Sequence, residues 1–403
     1  MTCSNFTRAA LVPVLAMATA AAIGTAAIPT AHAADNYKIG VSMDLTGPIS
    51  FNGKIAAAGL QTYVGKLNDA GGVNGRKIDL NVADDASDLA KGKAIEQRFA
   101  DDGSLAVFGY ILSTVSAGVA PQAIKDKIPL VALGGLRELL APPNPYYFSY
   151  ELQAAKLSNR ILNYISQRAK ADKIASPKVS VLVVDVPSNR EVAQQAVDEI
   201  KRRGWTLVGE PQYVPVSPTN VTAQASSIKA ANPDYVLMSH NDAGALVVVR
   251  GLRSQGVTVP IINQWAGSAD STLERLGDGY IAFRTFTSPT DDSVPAIAAV
   301  RADGQKYGFA AQMTSPYFTQ GYVAGMILEK ALKNCGANCA SGEQFAKAMV
   351  AVGEIDTKGL SGPAKISSQS HEFIDAVRFY TWDGGAKKAK PVSDWIGPDS
   401  FAK

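Results

Sequence analysis

The stretch "GYILSTVSAG" occupies residues 109–118. An apolar run, Leu105 to Phe108, leads into it, and Ser113, Thr114 and Ser116 then place three hydroxyls within four positions. The apolar run reads as a buried strand, and residues 114–126 read as a helix. The stretch therefore joins the carboxyl end of a strand to the start of a helix. The first-turn N–H groups of such a helix lack partners within it, and the helix dipole adds partial positive charge. Serine and threonine hydroxyls donate further hydrogen bonds there. The combination suits a carboxylate or another small anionic or polar group. Capping alone needs only one hydroxyl, so three favour a ligand, with Ser113 and Thr114 as the expected contacts. Ser116 is expected to cap the helix or lie on its surface.

Outward from this stretch the chain repeats the same strand-then-helix pattern. Strands are predicted at 37–44, 77–85, 105–110 and 128–133, with helices at 53–70, 88–102 and 114–126 between them. In the first helix Ala56, Leu60, Tyr63, Val64 and Leu67 fall on one face. A proline-rich break, "APPNPYY" (141–147), separates this series from a second one. The second has helices near 154–170, 189–203 and 242–255, and strands at 178–185, 234–239 and 259–263. Alternation of this kind argues for α/β units with parallel sheets covered on both faces. The last third is less regular, with strands at 280–287 and 375–382 and a helix near 316–333. These pieces are too few for a third domain, so they are expected to complete the two sheets. The chain then crosses between lobes more than once.

A chain of 403 residues is long enough for two domains of ordinary size. Its net charge of +3, without long runs of one sign, gives no electrostatic case for nucleic acid or a membrane surface as partner. The N-terminus reads as a signal peptide. Arg8 is followed by an apolar, alanine-rich stretch from Ala9 to Ile28, then by Ala31-His32-Ala33. Cleavage is expected before Ala34, with export to the periplasm. A retained anchor is the alternative, but Pro13 and Pro29 make a poor membrane span. Cys3 leaves with the leader, and Cys335 and Cys339 remain in "NCGANC". An even count in an oxidising compartment favours a disulfide, read as a structural clip at a helix end. A metal or redox site is disfavoured, because no histidine or second cysteine pair lies nearby.

Catalytic signals are sparse. Past the leader the histidines are His240 and His371, and neither has a zinc-protease spacing. Neither a nucleophile elbow nor a phosphate-binding loop is present. His371, in polar "SSQSHEF", reads as part of a solvated loop. His240 ends a predicted strand beside Asn241 and Asp242, where it contacts a ligand or helps to cap the next helix. Asp242 is itself a good N-cap residue. Asp84-Asp85 reads as a strand-end turn with an aspartate capping the following helix. No enzyme activity, cofactor or metal is expected.

The stretch "IGVSMDLTGPISFNG" (39–53) resembles the opening of the type I periplasmic binding proteins. With residues 67–88, "FGYILSTVS" (108–116), "IPLVAL" (128–133) and "QGYVAGMILEKAL" (320–332), the chain is similar to the leucine/isoleucine/valine-binding branch that serves ABC importers. The resemblance covers nearly all of the chain beyond the leader. It implies two similar Rossmann-like lobes with parallel-sheet cores, joined by a three-strand hinge, with the ligand cleft between them. Lobe 1 is then 34–153 plus 285–374, and lobe 2 is 154–284 plus 375–403. It further implies that Ser113, Thr114 and the loop Gly134 to Leu136 hold a ligand carboxylate, that Tyr317 is an aromatic cleft contact, and that Asn52 and Asn189 face the cleft. A small-molecule ligand, a membrane permease with its ATPase and a monomeric state follow. The alternative role is a ligand sensor or chemoreceptor accessory of the same fold, and a secreted enzyme comes third.

Two positions depart from the family pattern. Leu136 stands where amino-acid binders carry a threonine. Trp265, in "NQWAGS", stands where the second lobe normally offers an acid to the ligand's ammonium. A buried ammonium needs a partner charge, and an indole face attracts a cation only weakly by comparison. Either Asp242, Asp185 or Glu151 compensates, or the ligand lacks an amino group and has an apolar or aromatic body. Trp265 otherwise simply packs within the second lobe.

Overall fold

The computed structural model describes residues 35–133 and 137–397, together with Ala10. The expected leader and its cleavage site lie outside the described residues, as do Gly134 and Leu136. The first sheet is built from β1 (Tyr37–Met43), β2 (Ile78–Asp84), β3 (Val107–Gly109), β4 (Leu130–Ala132) and β5 (Tyr147–Ser149). Helices α1 (Ser50–Asp69), α2 (Leu89–Asp101), α3 (Ser113–Asp126) and the short α4 (Arg137–Leu140) link them. The strand order is β2-β1-β3-β4-β5, and every pairing is parallel. Three of these strands are only three residues long and fully buried, so an apolar run must stand in for alternation.

The chain then passes through α5 (Ala154–Ala171) into a second sheet. Its parallel part contains β6 (Lys178–Val184), β7 (Thr206–Leu207), β8 (Gln212–Val214), β9 (Tyr235–Ser239), β10 (Ile261–Asn263) and β11 (Tyr280–Arg284). The helices α6 (Pro187–Arg202), α7 (Thr222–Ala231), α8 (Asp242–Ser254) and α9 (Asp270–Leu276) lie between them. β6 is flanked by β7 and β8 on one side and by β9, β10 and β11 in turn on the other. The two sheets thus share one topology, each with a point where strand order reverses, at β1/β3 and at β6/β9. In open α/β sheets, ligands bind outside the carboxyl ends of the strands at such a point.

After β11 the chain returns to the first lobe as α10 (Ala296–Lys306), α11 (Pro316–Cys335) and α12 (Gly342–Val350), followed by the small pair β12 (Glu354–Ile355) and β13 (Ala364–Lys365). It then crosses once more, and β14 (Arg378–Asp383) and β15 (Lys388–Pro391) add antiparallel strands to the second sheet beside β11. α11 lies along α1 at very short range. A Cβ on Gly321 would sit 1.9 Å from the Ala56 carbonyl oxygen, and one on Gly59 would sit 2.0 Å from that of Phe318. Cys335, the last residue of α11, is disulfide-bonded to Cys339 (Cα–Cα 5.3 Å). Arg76 ties this loop to the first lobe by donating to the carbonyls of Ala337 and Cys339, both at 2.9 Å.

Two local expectations are corrected. His371 is not in a solvated loop. It is 4% exposed, stacks on Phe148 with ring centroids 4.4 Å apart, and its Nδ1 meets the carbonyls of Asn144 and Tyr147. Its neighbours are polar because that segment is a crossover between lobes, where backbone groups need partners. Asp84 and Asp85 do not cap α2; Asp88 does, accepting from Lys91 N at 2.8 Å. Asp84 instead accepts from Leu45 N and the Thr46 hydroxyl, and Asp85 accepts from the Ser42 hydroxyl.

Candidate ligand-binding site

A cleft opens between the carboxyl ends of the two sheets and has about 740 Å³ of free space, counted out to its open side. Each wall is a loop that leaves a strand and starts a helix. Ile49 and Asn52 come from the start of α1, and Ile111, Leu112 and Ser113 from the β3–α3 turn. Val184, Val186, Ser188 and Asn189 lie between β6 and the first turn of α6, and Asn241 follows β9. Gln264, Trp265 and Ala266 follow β10, and Leu152, Ala154 and Leu157 lie around the start of α5. Several helix N-termini therefore point toward one space, which favours negative charge. No charged side chain lines this cleft, among the described residues.

The β3–α3 turn is bent sharply. Gly109 has φ +128°, and a Cβ there would lie 1.8 Å from the Ser42 carbonyl oxygen. Tyr110 follows with φ +54°, which a non-glycine residue adopts at a cost. The turn delivers Ser113, 6% exposed, to the cleft as the first residue of α3. Across the cleft the Ser188 hydroxyl donates to the Ser113 hydroxyl at 2.9 Å, so the two lobes touch at the expected anchor. Thr114 is exposed and is not among the residues lining the cleft. Ser116 is fully buried and donates to the Ser113 carbonyl at 3.3 Å rather than lying on the surface.

Four residues singled out from sequence line the cleft: Asn52, Ser113, Asn189 and Trp265. Asn189 Oδ1 accepts from the Ser239 hydroxyl at 2.6 Å, which leaves its amide N–H groups free to turn to the cleft. Tyr317 stands one layer back. Its ring meets Trp265 edge-on at 5.9 Å between centroids, and its hydroxyl is shared between Asp242 Oδ2 and the Trp265 carbonyl. His240 does not reach the cleft. It is fully buried, its Nε2 lies 3.1 Å from the Pro215 carbonyl, and burial pushes it down to about 4, so it stays neutral. α8 is capped by Asn241, which accepts from Gly244 N at 2.8 Å, not by Asp242.

None of the three carboxylates named as replacements for the missing acid enters the cleft. Asp242 is tied to Ala269 N at 3.0 Å and to Tyr317, and burial pushes it up to about 6. Asp185 is half-exposed and paired with Arg190 at 2.6 Å. Glu151 is wholly buried behind Trp265, in a smaller chamber that Arg284, Thr285 and Gln320 also line. It accepts from Leu152 N, Thr285 and Gln320, yet burial pushes it up to about 8. Gln264 Oε1 is buried and has no partner.

Sequence reasoning missed Ser188 and Gln264. Ser188 carried a signal, because a hydroxyl just after β6 and a proline at the helix start mirrors Ser113 after β3. The apolar liners Ile111, Leu112, Leu152, Leu157, Val186 and Val216 carried none, since such residues look the same in sequence whether they face a core or a cleft.

A family model described as "Periplasmic binding protein" matches residues 36–388. "Leu/Ile/Val-binding protein homolog 1" of Brucella abortus (strain 2308) is 25% identical over 360 residues, 86% of this chain and 91% of that protein. The fold superposes with TM-score 0.79 on a branched chain amino acid ABC transporter protein from Thermus thermophilus with bound valine, at 19% identity, covering 91% of this chain and 97% of that one. It superposes with TM-score 0.76 on an ABC transporter solute binding protein from R. palustris in complex with 4-hydroxybenzoate, at 17% identity, covering 91% and 99%.

Proposed function

Because this chain belongs to the periplasmic binding protein family, we propose that it is the solute-capturing component of an ABC importer of the branched-chain amino acid class. Its ligand is a small carboxylate-bearing molecule with an apolar or aromatic body and no ammonium group. The observation that carries this reading is the cleft lining. Helix N-termini converge on it, Ser113 stands at the start of one of them, and no carboxylate faces the space among the described residues. The anionic end of the ligand belongs at the α3 start, where first-turn N–H groups and the Ser113 hydroxyl donate to it. Its body packs against Ile111, Leu152, Leu157, Val186 and the Trp265 ring. The free Gln264 Oε1 suits a hydroxyl or N–H donor at the far end. The comparison proteins hold both an amino acid and a hydroxylated aromatic acid, and the lining here fits the second kind better.

Capture proceeds by lobe closure. A ligand that contacts both lobes stabilises the closed form by its differential affinity for it, and the membrane permease reads that form. Delivery after export to the periplasm makes the protein a carrier rather than a catalyst. Calorimetry with matched pairs tests the ligand class: 4-methylpentanoate against leucine, and 3-phenylpropanoate against phenylalanine. The acid of each pair should bind more tightly, and tighter binding of both amino acids rejects the proposal. Ser113→Ala should weaken binding of the acids by about 1–3 kcal/mol, as a buried charge loses a donor. Unchanged affinity would remove Ser113 from the anchor.

A further inference from the structure

Behind the anchoring turn the first lobe buries a carboxyl group with no cation beside it. Glu96 lies on the buried face of α2 with Gly92, Ile95 and Phe99, and it is 0% exposed. Its Oε2 accepts from the Tyr110 hydroxyl at 2.8 Å, and its Oε1 has no partner. Tyr110 is itself buried, among Phe99, Val107, Val115 and Val119. The charged groups that face the pair are acids: Asp126 at the end of α3 faces Glu96, and Asp85 after β2 faces Tyr110. A buried carboxyl without a counter-charge costs stability, and an apolar side chain of similar volume would pack there at lower cost. Packing therefore does not account for Glu96, whereas its one hydrogen bond does. That bond ends on the residue with φ +54°, three positions before Ser113.

We propose that Glu96 and Tyr110 form a positioning pair for the anion anchor. The Glu96 carboxyl holds the Tyr110 ring, the ring holds the turn in its left-handed conformation, and the turn fixes where Ser113 and the first N–H groups of α3 meet the ligand. Tyr110 is tied in two further ways: its hydroxyl also reaches the Gly92 carbonyl, at 3.4 Å, and its backbone N–H donates to the Ser42 carbonyl at 2.8 Å. The pair rests on the reading of Ser113 as the anchor, and it adds a control to that site. Burial pushes Glu96 up to about 7. Below that pH the carboxyl is neutral. Above it a negative charge stands behind a site that binds an anion, so affinity for a carboxylate falls as pH rises through about 7.

Two measurements test the pair. The first needs no ligand: amide hydrogen exchange of the peptide covering 109–118. Tyr110→Phe removes only a hydroxyl, and Glu96→Leu removes the acceptor. Each should speed exchange in that peptide about tenfold, as one buried hydrogen bond is lost, while α8 is unchanged. Glu96→Gln keeps an acceptor and should restore protection. The double variant Tyr110→Phe/Glu96→Leu should be no faster than either single variant. Unchanged exchange in Tyr110→Phe overturns the proposal. The second is 4-methylpentanoate affinity between pH 6 and 8.5. It should weaken with rising pH in the wild type and weaken less in Glu96→Gln, where Glu151 and Asp242 behind the cleft still titrate, and a profile as steep in Glu96→Gln as in the wild type also overturns it. Should Ser113→Ala leave affinity unchanged, the anchor reading fails, while the exchange experiment still decides whether the pair holds the turn.

Discussion

Trp265 concentrates the question of what this cleft accepts. Its indole, 9% exposed, lines both the cleft and the smaller chamber that contains Glu151. It therefore stands between any ligand and that carboxyl group. Trp265→Glu places an acid in a cleft whose described lining has none, and it should shift preference from 4-methylpentanoate toward leucine by about tenfold or more, the scale of one charge-assisted hydrogen bond. Competition calorimetry of the variant checks this, and no relative gain for leucine rejects the role given to Trp265. Ser113 could be read from its place between a strand and a helix, whereas Asn52, Asn189 and Trp265 were read from the family resemblance. Depth could not be read. Tyr317 and His240 have the right chemistry and the right strand or helix ends, but one sits behind Trp265 and the other inside the second lobe. The distance from a strand end to the cleft surface is set by how neighbouring loops pack, and a single chain position does not encode it.

At the scale of elements, most of the fold could be read in advance. The pattern of short apolar runs and amphipathic helices placed the strands and helices it named to within a few residues, but it named none of β5, β7, β8, β15, α7, α9, α10 and α12. The weakest readings were in crossover segments such as the one holding His371, where partners come from distant parts of the chain. The crossing of α1 and α11 also had no signal beyond glycines inside helices, Gly59, Gly321 and Gly325 among them. Helical glycines are unfavourable by about 1 kcal/mol each against alanine, so a packing reason was due. The reason is the close backbone approach at Gly59 and Gly321. Gly321→Ala forces a Cβ against the Ala56 carbonyl and should destabilise the protein by about 1–3 kcal/mol. A thermal melt that matches the wild type would show that the helices separate without cost.

The whole molecule carries buried acids at more than one level. Glu96 lies behind the β3–α3 turn, while Glu151 and Glu372 lie in two of the crossovers between lobes. Burial pushes them up to about 7, 8 and 7 respectively, Glu372 despite its contact with Lys156. The sign of the linkage follows. In the unfolded chain these groups ionise near the ordinary glutamate value, whereas in the folded chain they hold their protons longer. Stability from these three groups is thus greatest below about pH 4.5 and is lost as pH rises through 7 to 8. Melts between pH 5 and 9 should show Tm falling toward the alkaline end, with Glu96→Gln falling less. A Tm that rises steadily to pH 9 in the wild type contradicts this assignment.

The lobes also differ in how far apart in the chain their parts lie. The parallel strands β6 to β11 of the second sheet follow one another between residues 178 and 284. The first lobe instead needs α1, from near the beginning, to meet α11, which ends at Cys335. Long-range contacts slow folding, because the chain between them must be closed before they form. A polypeptide released from its N-terminal end can therefore assemble the centre of its second lobe while the first still waits for residue 335. The proposed anchor at Ser113, which belongs to that waiting lobe, is then among the last parts to become competent.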